Sequence, residues 1–209
     1  MKTILVATAN HGKAEEIKKI FEGTEYEVKF LFDFPEETKD LELVENAKSF
    51  EGNALIKAIV AGDVLNMLTL ADDSGLVVDA LDGRPGVYSA RYSGEGNDKA
   101  NYLKVLDEMK DIPFEDRDCR YHCSVAIYDP KTKFVDTVSG LWEGKVAFEP
   151  RGDKSFGYAP IILAKDFNYE KTNAEFDHEE LINVNHRGKA FRQAIEVLNN
   201  YLKYPPQAE

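Results

Sequence analysis

An apolar segment near the amino terminus restricts the fold more than any other feature of the chain. Residues 3–7 carry four consecutive apolar side chains after Thr3, with no polar alternation. A strand of this kind is buried on both faces, which is typical of parallel strands covered by helices. Residues 8–13 are polar, and the next segment has apolar residues at helical spacing. The pattern predicts a strand, a polar loop and a helix, the basic unit of an α/β protein.

The rest of the chain continues this mixture of strands and helices. We predict strands at 28–31, 68–71, 119–128, 134–141 and 161–163, helices at 50–67, 98–109 and 185–204, a turn at 72–75 and a hairpin turn at 129–132. The last helix is expected to end before Pro205 and Pro206. No low-complexity linker interrupts the chain, so we expect one α/β (mixed α+β) domain over residues 1–209, with a mixed twisted sheet and flanking helices.

Charge and composition exclude several classes of partner. The formal net charge of −12 argues against binding to nucleic acid or to an anionic membrane, because both favour basic surfaces. No apolar stretch reaches membrane-spanning length. Cys119 and Cys123 share one face of a predicted strand but lie roughly 13 Å apart, too far for a disulfide. We therefore expect free thiols and a soluble, cytoplasmic protein.

The acidic pair Asp72 and Asp73 is the first candidate site. It follows an apolar run and precedes Ser74 and Gly75. One carboxylate could ligate a divalent metal while a carboxylate also positions a nucleophilic water. Glu45 and Glu51 are possible additional ligands. Taken alone, however, the tetrapeptide Asp72-Asp73-Ser74-Gly75 more often forms an ordinary turn. The glutamates lie in an acidic region where most charges face solvent.

The polar loop after the first strand is the second candidate. Unpaired amides at a helix start favour an anion, Thr8 and Asn10 can donate hydrogen bonds, and Lys13 adds a positive charge. The competing interpretation is a helix cap by Asn10 with a solvated Lys13.

Two further segments suggest recognition of a planar, phosphorylated ligand. His186 and Arg187 begin the final predicted helix, where basic side chains oppose the helix dipole, and this conflict favours contact with a ligand. In Phe156-Gly157-Tyr158, an aromatic ring beside a glycine could stack on a base while backbone amides approach it. Ordinary packing is the more frequent role of such a triplet.

Six motifs in register resemble the inosine triphosphate pyrophosphatase family, also called the HAM1-like or dITP/XTP pyrophosphatases. They occupy residues 8–13, 50–58, 71–76, 85–94, 156–158 and 186–188, so the resemblance spans nearly the whole chain. It implies Mg²⁺-dependent hydrolysis of the non-standard purine triphosphates ITP, dITP and XTP to monophosphate and pyrophosphate, which cleanses the nucleotide pool. It also implies an elongated α/β fold and a homodimer.

The same resemblance assigns roles to individual residues. Asp73 would be the proton acceptor and a Mg²⁺ ligand, Glu45 would assist metal binding, and Ser74 would contact substrate. The triphosphate would be bound by Thr8, Asn10 and Lys13, and the base by Phe156, Gly157, Tyr158, His186 and Arg187.

Three positions depart from the family pattern. Ala159 stands where an aspartate is usual, Leu181 replaces a lysine, and Gly52 stands where many relatives carry a glutamate. Two other interpretations therefore stay open. One is a nucleotide-binding sensor or structural protein with little hydrolysis, and the other is a hydrolase with broadened triphosphate specificity.

Overall fold

The computed structural model describes residues 1–204, except for the side chain of His178. Pro205 and Pro206, before which we expected the last helix to end, lie outside the described residues. The strands are β1 (Lys2–Val6), β2 (Tyr26–Phe30), β3 (Thr69–Val78), β4 (Asp118–Asp129), β5 (Phe134–Val146) and β6 (Ile162–Ala164). The helices are α1 (His11–Phe21), α2 (Pro35–Thr38), α3 (Phe50–Leu65), α4 (Asp98–Glu108), α5 (His178–Leu181) and α6 (His186–Lys203).

Across the described chain these strands form a six-stranded sheet in the order β2-β1-β3-β4-β5-β6. Strand β1 runs parallel to β2, with Ile4 opposite Val28, and parallel to β3, with Leu5 opposite Thr69. Strand β6 pairs with β5 in the antiparallel direction. The sheet is therefore mixed, and the predicted mixed α/β fold is confirmed.

The described chain divides into two compact units, and the first contains residues 1–73, 123–140 and the chain from Gly188 onward. Its core explains why β1 is apolar at successive positions. Ile4 and Val6 pack with Ile17 and Phe191 in one cluster, whereas Leu5 packs in a second cluster on the other face of the strand. Burying each such side chain contributes about 1.5–3 kcal/mol, so the two clusters fix the position of β1 and of the loop that follows it.

The second unit contains residues 74–122 and 141–187. Its main core includes Leu76, Val105 and Ile161. Arg117 is also fully buried, and its guanidinium donates hydrogen bonds to the backbone carbonyls of Val146 and Ala147 at 2.7 and 2.8 Å. Carbonyl acceptors thus satisfy this buried cation, as a buried charge requires.

One prediction about local structure is wrong. Residues 72–75 do not form a turn but continue β3 as extended strand. The turn preference of Asp-Asp-Ser-Gly is local, whereas Asp72 and Asp73 are buried and bind side chains from distant elements. Those tertiary contacts outweigh the local preference.

Other local predictions are close to the structure. The hairpin turn lies between β4 and β5, although β5 reaches Val146 rather than residue 141. Cys119 and Cys123 are both buried and free, as predicted. Among the helices of residues 1–204, none combines the length and the apolar character needed to cross a membrane.

Candidate active site

The loop after β1 begins helix α1 through a cap. Asn10 is the N-cap residue, and its side-chain oxygen accepts a hydrogen bond from the Lys13 amide at 3.0 Å. The Asn10 amide in turn donates to Oγ1 of Thr8 at 3.2 Å. The capping interpretation of Asn10 is therefore correct. Lys13, in contrast, does not extend into solvent, because its Nζ lies 2.9 Å from Oδ2 of Asp72.

Strand β3 places two carboxylates beside lysines contributed by two helices. Asp72 is buried against Lys13 of α1. Asp73 is also buried, and its Oδ1 lies 3.9 Å from Nζ of Lys57 in α3. Asn53 donates through Nδ2 to the other oxygen of Asp73, Oδ2, at 2.8 Å. The acidic pair is thus held in a basic and polar environment in the interior of the first unit.

Helix α3 supplies two of these contacts from one face. Ser49 caps the helix by accepting a hydrogen bond from the Gly52 amide at 3.1 Å. Asn53 and Lys57 follow at a spacing of four residues, so their side chains lie on the same side of the helix. Both residues lie within the 50–58 motif, but neither is assigned a role from sequence. In sequence this spacing is a weak signal, because α3 also contains the charged residues Glu51 and Asp63.

Lys57 links the two carboxylates that we expected to bind metal. Its Nζ lies 2.6 Å from Oε1 of Glu45 and 3.9 Å from Oδ1 of Asp73. Burial opposes the charge of Lys57, but Asp72, Glu45 and Asp73 outweigh it and raise the pKa of the ammonium group. Lys57 is therefore protonated at neutral pH.

The pKa of Asp73 is also raised. Burial is the main cause, because it penalises the charged form, while Lys57 and the hydrogen bond from Asn53 act in the opposite direction. A carboxylate with a raised pKa is a stronger base than a solvent-exposed aspartate. Asp73 is accordingly a better proton acceptor than an ordinary aspartate.

The oxygen donors of this cluster fit a divalent cation. Residues 1–204 contain no group of three or more His, Cys, Asp or Glu side chains arranged to hold a metal. Mg²⁺, however, usually needs only one or two carboxylates, together with waters and substrate phosphates. Glu45 and Asp73 already face one cation, the ammonium group of Lys57. Glu51 does not join them, since its Oε1 accepts a hydrogen bond from Thr137 at 3.3 Å.

In the second unit, the structure brings Ser74 and Arg187 together. Nη2 of Arg187 donates to Oγ of Ser74 at 3.0 Å. His186, the first residue of α6, stacks on the ring of Tyr121 with 4.7 Å between ring centroids and an interplanar angle of 12°. Both basic residues are buried. This cluster combines hydrogen-bond donors that are held in place with the aromatic ring of Tyr121.

The three residues of the Phe156-Gly157-Tyr158 loop have different environments. Phe156 is 45% exposed as a residue, so its ring is accessible for stacking. Tyr158 is buried, and its hydroxyl donates to the carbonyl oxygen of Ser89 at 2.7 Å. The Gly157 amide donates to Oδ2 of Asp98 at 2.8 Å, so in this structure that amide is already engaged. Ser89 lies within the 85–94 motif and Asp98 begins a predicted helix, but neither is assigned a role in the site from sequence.

The structure shows the surroundings of the three residues that depart from the family pattern. A Cβ atom on Gly52 would lie 2.8 Å from Cβ of Ala47, so a side chain at this position requires a shift of the neighbouring segment. Leu181 is buried with Trp142 and Ala164 in an apolar cluster. Ala159 is buried at the start of a short 3₁₀ segment, Ala159–Ile161.

Comparison with known proteins shows the family of the chain. The sequence profile described as the Ham1 family matches residues 4–197. The chain belongs to the Ham1 family. The resemblance drawn from the six sequence motifs is therefore confirmed.

Relatives and solved structures cover almost the whole chain. A dITP/XTP pyrophosphatase of Oceanobacillus iheyensis is 45% identical over 203 residues, which cover 97% of this chain and 98% of the relative. A protein of the same name from Bacillus cereus is 43% identical, with 94% of each chain covered. The Ham1 protein of Staphylococcus aureus superposes with a TM-score of 0.83 at 33% identity, covering 95% of this chain and 99% of the other.

Proposed function

We propose that this Ham1-family protein is a nucleoside triphosphate pyrophosphatase that converts dITP, XTP and ITP to the monophosphate and pyrophosphate, and so cleanses the nucleotide pool. The names of the Oceanobacillus iheyensis and Bacillus cereus relatives support this activity. The observation that carries the proposal is the buried Asp73 carboxylate, held by Asn53 and facing Lys57.

The chemistry assigned to this cluster is proton transfer combined with charge neutralisation. Asp73 accepts a proton from a water molecule as that water attacks the α-phosphorus, and the bond to the bridging oxygen of the departing pyrophosphate breaks. The raised pKa of Asp73 favours this proton transfer. Lys13 and Lys57 supply positive charge to the phosphate oxygens, where negative charge accumulates during the reaction.

Mg²⁺ is the cofactor that we propose for this reaction. Asp73 and Glu45 would hold it, because both present carboxylate oxygens to the same cation in the structure. When bound, the metal lowers the pKa of a coordinated water and neutralises phosphate charge. The lysines then need to offset only part of the charge of the triphosphate.

Base recognition is assigned to the second unit. The exposed ring of Phe156 offers a stacking surface, and Ser74, His186 and Arg187 are the polar contacts. A keto oxygen at the 6-position accepts hydrogen bonds from His186 or Arg187. The amino group of adenine would leave such donors unpaired, which disfavours ATP.

Location and assembly complete the proposal. We place the protein in the cytoplasm, a reducing compartment in which the buried Cys119 and Cys123 stay free. We also propose a homodimer, on the basis of the family resemblance, and light scattering on the purified chain tests it directly. Nucleic acids and membranes are not expected as partners because of the net charge of −12.

A substrate panel tests the proposed activity. Pyrophosphate release is measured from dITP, ITP, XTP, dGTP and ATP, with Mg²⁺ and with chelator, while thermal shift reports binding of the same nucleotides. We expect Mg²⁺-dependent release that is at least about tenfold faster from dITP, ITP and XTP than from ATP. Comparable release from ATP would indicate the broadened hydrolase. Thermal stabilisation by ITP without product would indicate a nucleotide sensor.

A further inference from the structure

The Phe156-Gly157-Tyr158 loop is held by hydrogen bonds at two points within the second unit. The first is the hydroxyl of Tyr158, which donates to the carbonyl oxygen of Ser89 at 2.7 Å. Ser89 is itself fixed, because its Oγ accepts from the Leu76 amide at 2.9 Å and donates to the Gly86 carbonyl at 2.6 Å. Burial, together with the charges of Tyr92 and Asp98, raises the pKa of Tyr158, so its hydroxyl remains a donor.

The second point is the carboxylate of Asp98. This residue follows the N-cap Asn97 at the start of α4, and its Oδ2 accepts a hydrogen bond from the Gly157 amide at 2.8 Å. The bond connects residues 59 positions apart in the chain. Hydrogen bonds to ionised acceptors are stronger than those between neutral groups. Asp98 therefore restrains the centre of the loop from a separate element.

Gly157 is the position where such a restraint matters most. It has a positive φ of +65°, and a Cβ placed there would meet nothing within 4 Å. A glycine in open space gains backbone freedom when its hydrogen bond is lost. The preceding residue, Phe156, carries the exposed ring, so the orientation of that ring depends on the Gly157 backbone. Ala159 has no polar side-chain atom with which to restrain the loop from its other end.

We propose that Asp98 is a positioning residue for nucleotide binding, which fixes the Gly157 backbone and thereby orients the Phe156 ring against the purine base. This inference rests on the proposed function, because the purine is the ligand assigned to Phe156. Asp98 does not contact the reacting phosphates in this scheme. Its loss therefore weakens substrate binding and leaves the chemical step intact.

Three variants of the full-length chain separate this role from a structural one. Asp98→Ala removes the acceptor. Asp98→Asn keeps a side-chain oxygen that can accept from the Gly157 amide. Asn97→Ala removes the neighbouring cap, in which the Asn97 side chain accepts from the Ala100 amide at 2.8 Å, and leaves Asp98 in place. Wild type and the three variants are compared by KM and kcat for dITP, by calorimetric binding of dIMP and by thermal unfolding.

We expect Asp98→Ala to raise KM for dITP and Kd for dIMP about threefold to tenfold, with kcat within twofold of wild type. Asp98→Asn should restore both constants to within about twofold. Asn97→Ala should lower the unfolding temperature while both constants stay near wild type. Equal increases in KM for Asn97→Ala and Asp98→Ala would overturn the proposal, as would wild-type constants in Asp98→Ala.

The binding measurement separates failure of this inference from failure of the proposed function. Wild-type protein that binds dIMP but releases no pyrophosphate would refute the pyrophosphatase and still test Asp98 through Kd. Wild-type turnover combined with unchanged constants in Asp98→Ala would refute the positioning role alone. Wild-type protein with neither turnover nor binding would overturn both.

Discussion

Asn53 donates a hydrogen bond from Nδ2 to Oδ2 of Asp73 at 2.8 Å, while its own Oδ1 accepts from the Ala47 amide at 2.9 Å. The amide group of one buried residue thus connects strand β3 with the segment that contains Glu45. It also fixes one oxygen of Asp73, so the other oxygen, Oδ1, faces Lys57. The proposed base is therefore oriented before any substrate arrives, and electrostatic preorganisation requires such an arrangement.

Replacement of Asp73 by asparagine tests the assignment of the base. Asp73→Asn is expected to lower kcat for dITP about 10²–10⁴-fold, because an amide cannot accept the proton. The unfolding temperature should stay the same or rise. Burial raises the pKa of Asp73, so the folded protein holds the carboxylate at a free-energy cost that a neutral amide avoids. A variant with near-wild-type kcat would rule out Asp73 as the base.

The ion pair between Lys13 and Asp72 should be strongly coupled. Lys13→Met removes the ammonium group that lies 2.9 Å from the buried Asp72 carboxylate, and we expect a loss of about 3 kcal/mol in the free energy of unfolding. The double variant Lys13→Met/Asp72→Asn should recover much of that loss. Urea denaturation of wild type, Lys13→Met, Asp72→Asn and the double variant gives the coupling energy.

An exposed ion pair provides the matched control. Nζ of Lys165 lies 2.6 Å from Oε2 of Glu143, but both side chains are largely exposed. The same cycle on Lys165→Met and Glu143→Gln should give no significant coupling, because solvent screens the pair. Equal coupling energies in the two cycles would contradict the importance that we give to burial of Asp72.

His122 makes stability dependent on pH in a predictable direction. Burial, with a contribution from Arg120, lowers the pKa of this histidine below its ordinary value of 6.5. The unfolded chain therefore binds a proton more readily than the folded protein. The contribution of His122 to stability is present above about pH 6.5 and is lost as the pH falls through its lower folded-state pKa.

Replacing His122 should remove this dependence. We expect the unfolding temperature of His122→Gln to fall less than that of wild type between pH 7.5 and pH 5. Other groups titrate in both proteins, so the informative quantity is the difference between the two curves. Parallel curves over this range would contradict the prediction.

Leu181 shows that a departure from a family pattern can be part of a core. Leu181→Lys restores the residue that the pattern leads one to expect, but it places an ammonium group in the apolar cluster with Trp142 and Ala164. We expect a loss of about 3 kcal/mol or more in the free energy of unfolding, and less than about 1.5 kcal/mol for the control Leu181→Met. Equal stabilities of the two variants would show that the lysine reaches solvent.

The local sequence pattern was sufficient to predict much of the fold. The apolar run of β1 and the helical spacing in α1 identify a buried strand and the helix after it, because burial imposes those periodicities. Local residue type predicts a turn at Asp72 and Asp73. It misses the strand because their partners, Lys13 and Asn53, lie 59 and 20 residues away in the chain. No local window contains such contacts.

The same limit applies to the candidate site. Asp73, Lys13 and Arg187 have side chains whose chemistry is evident from residue type and motif spacing. Asn53 and Asp98 act through hydrogen bonds to another carboxylate and to a backbone amide, respectively. These are ordinary polar residues in helices, and only the folded arrangement of the chain distinguishes them from residues that face solvent.

Hydrolysis of dITP in ¹⁸O-labelled water tests the central claim most directly. Attack of water on the α-phosphorus predicts dIMP that carries one labelled oxygen and pyrophosphate that carries none. The reaction requires only the purified wild-type protein, Mg²⁺ and mass spectrometry of the two products. Label in the pyrophosphate would place the attack at the β-phosphorus and contradict the proposed mechanism. Release of labelled orthophosphate would contradict the pyrophosphatase activity itself.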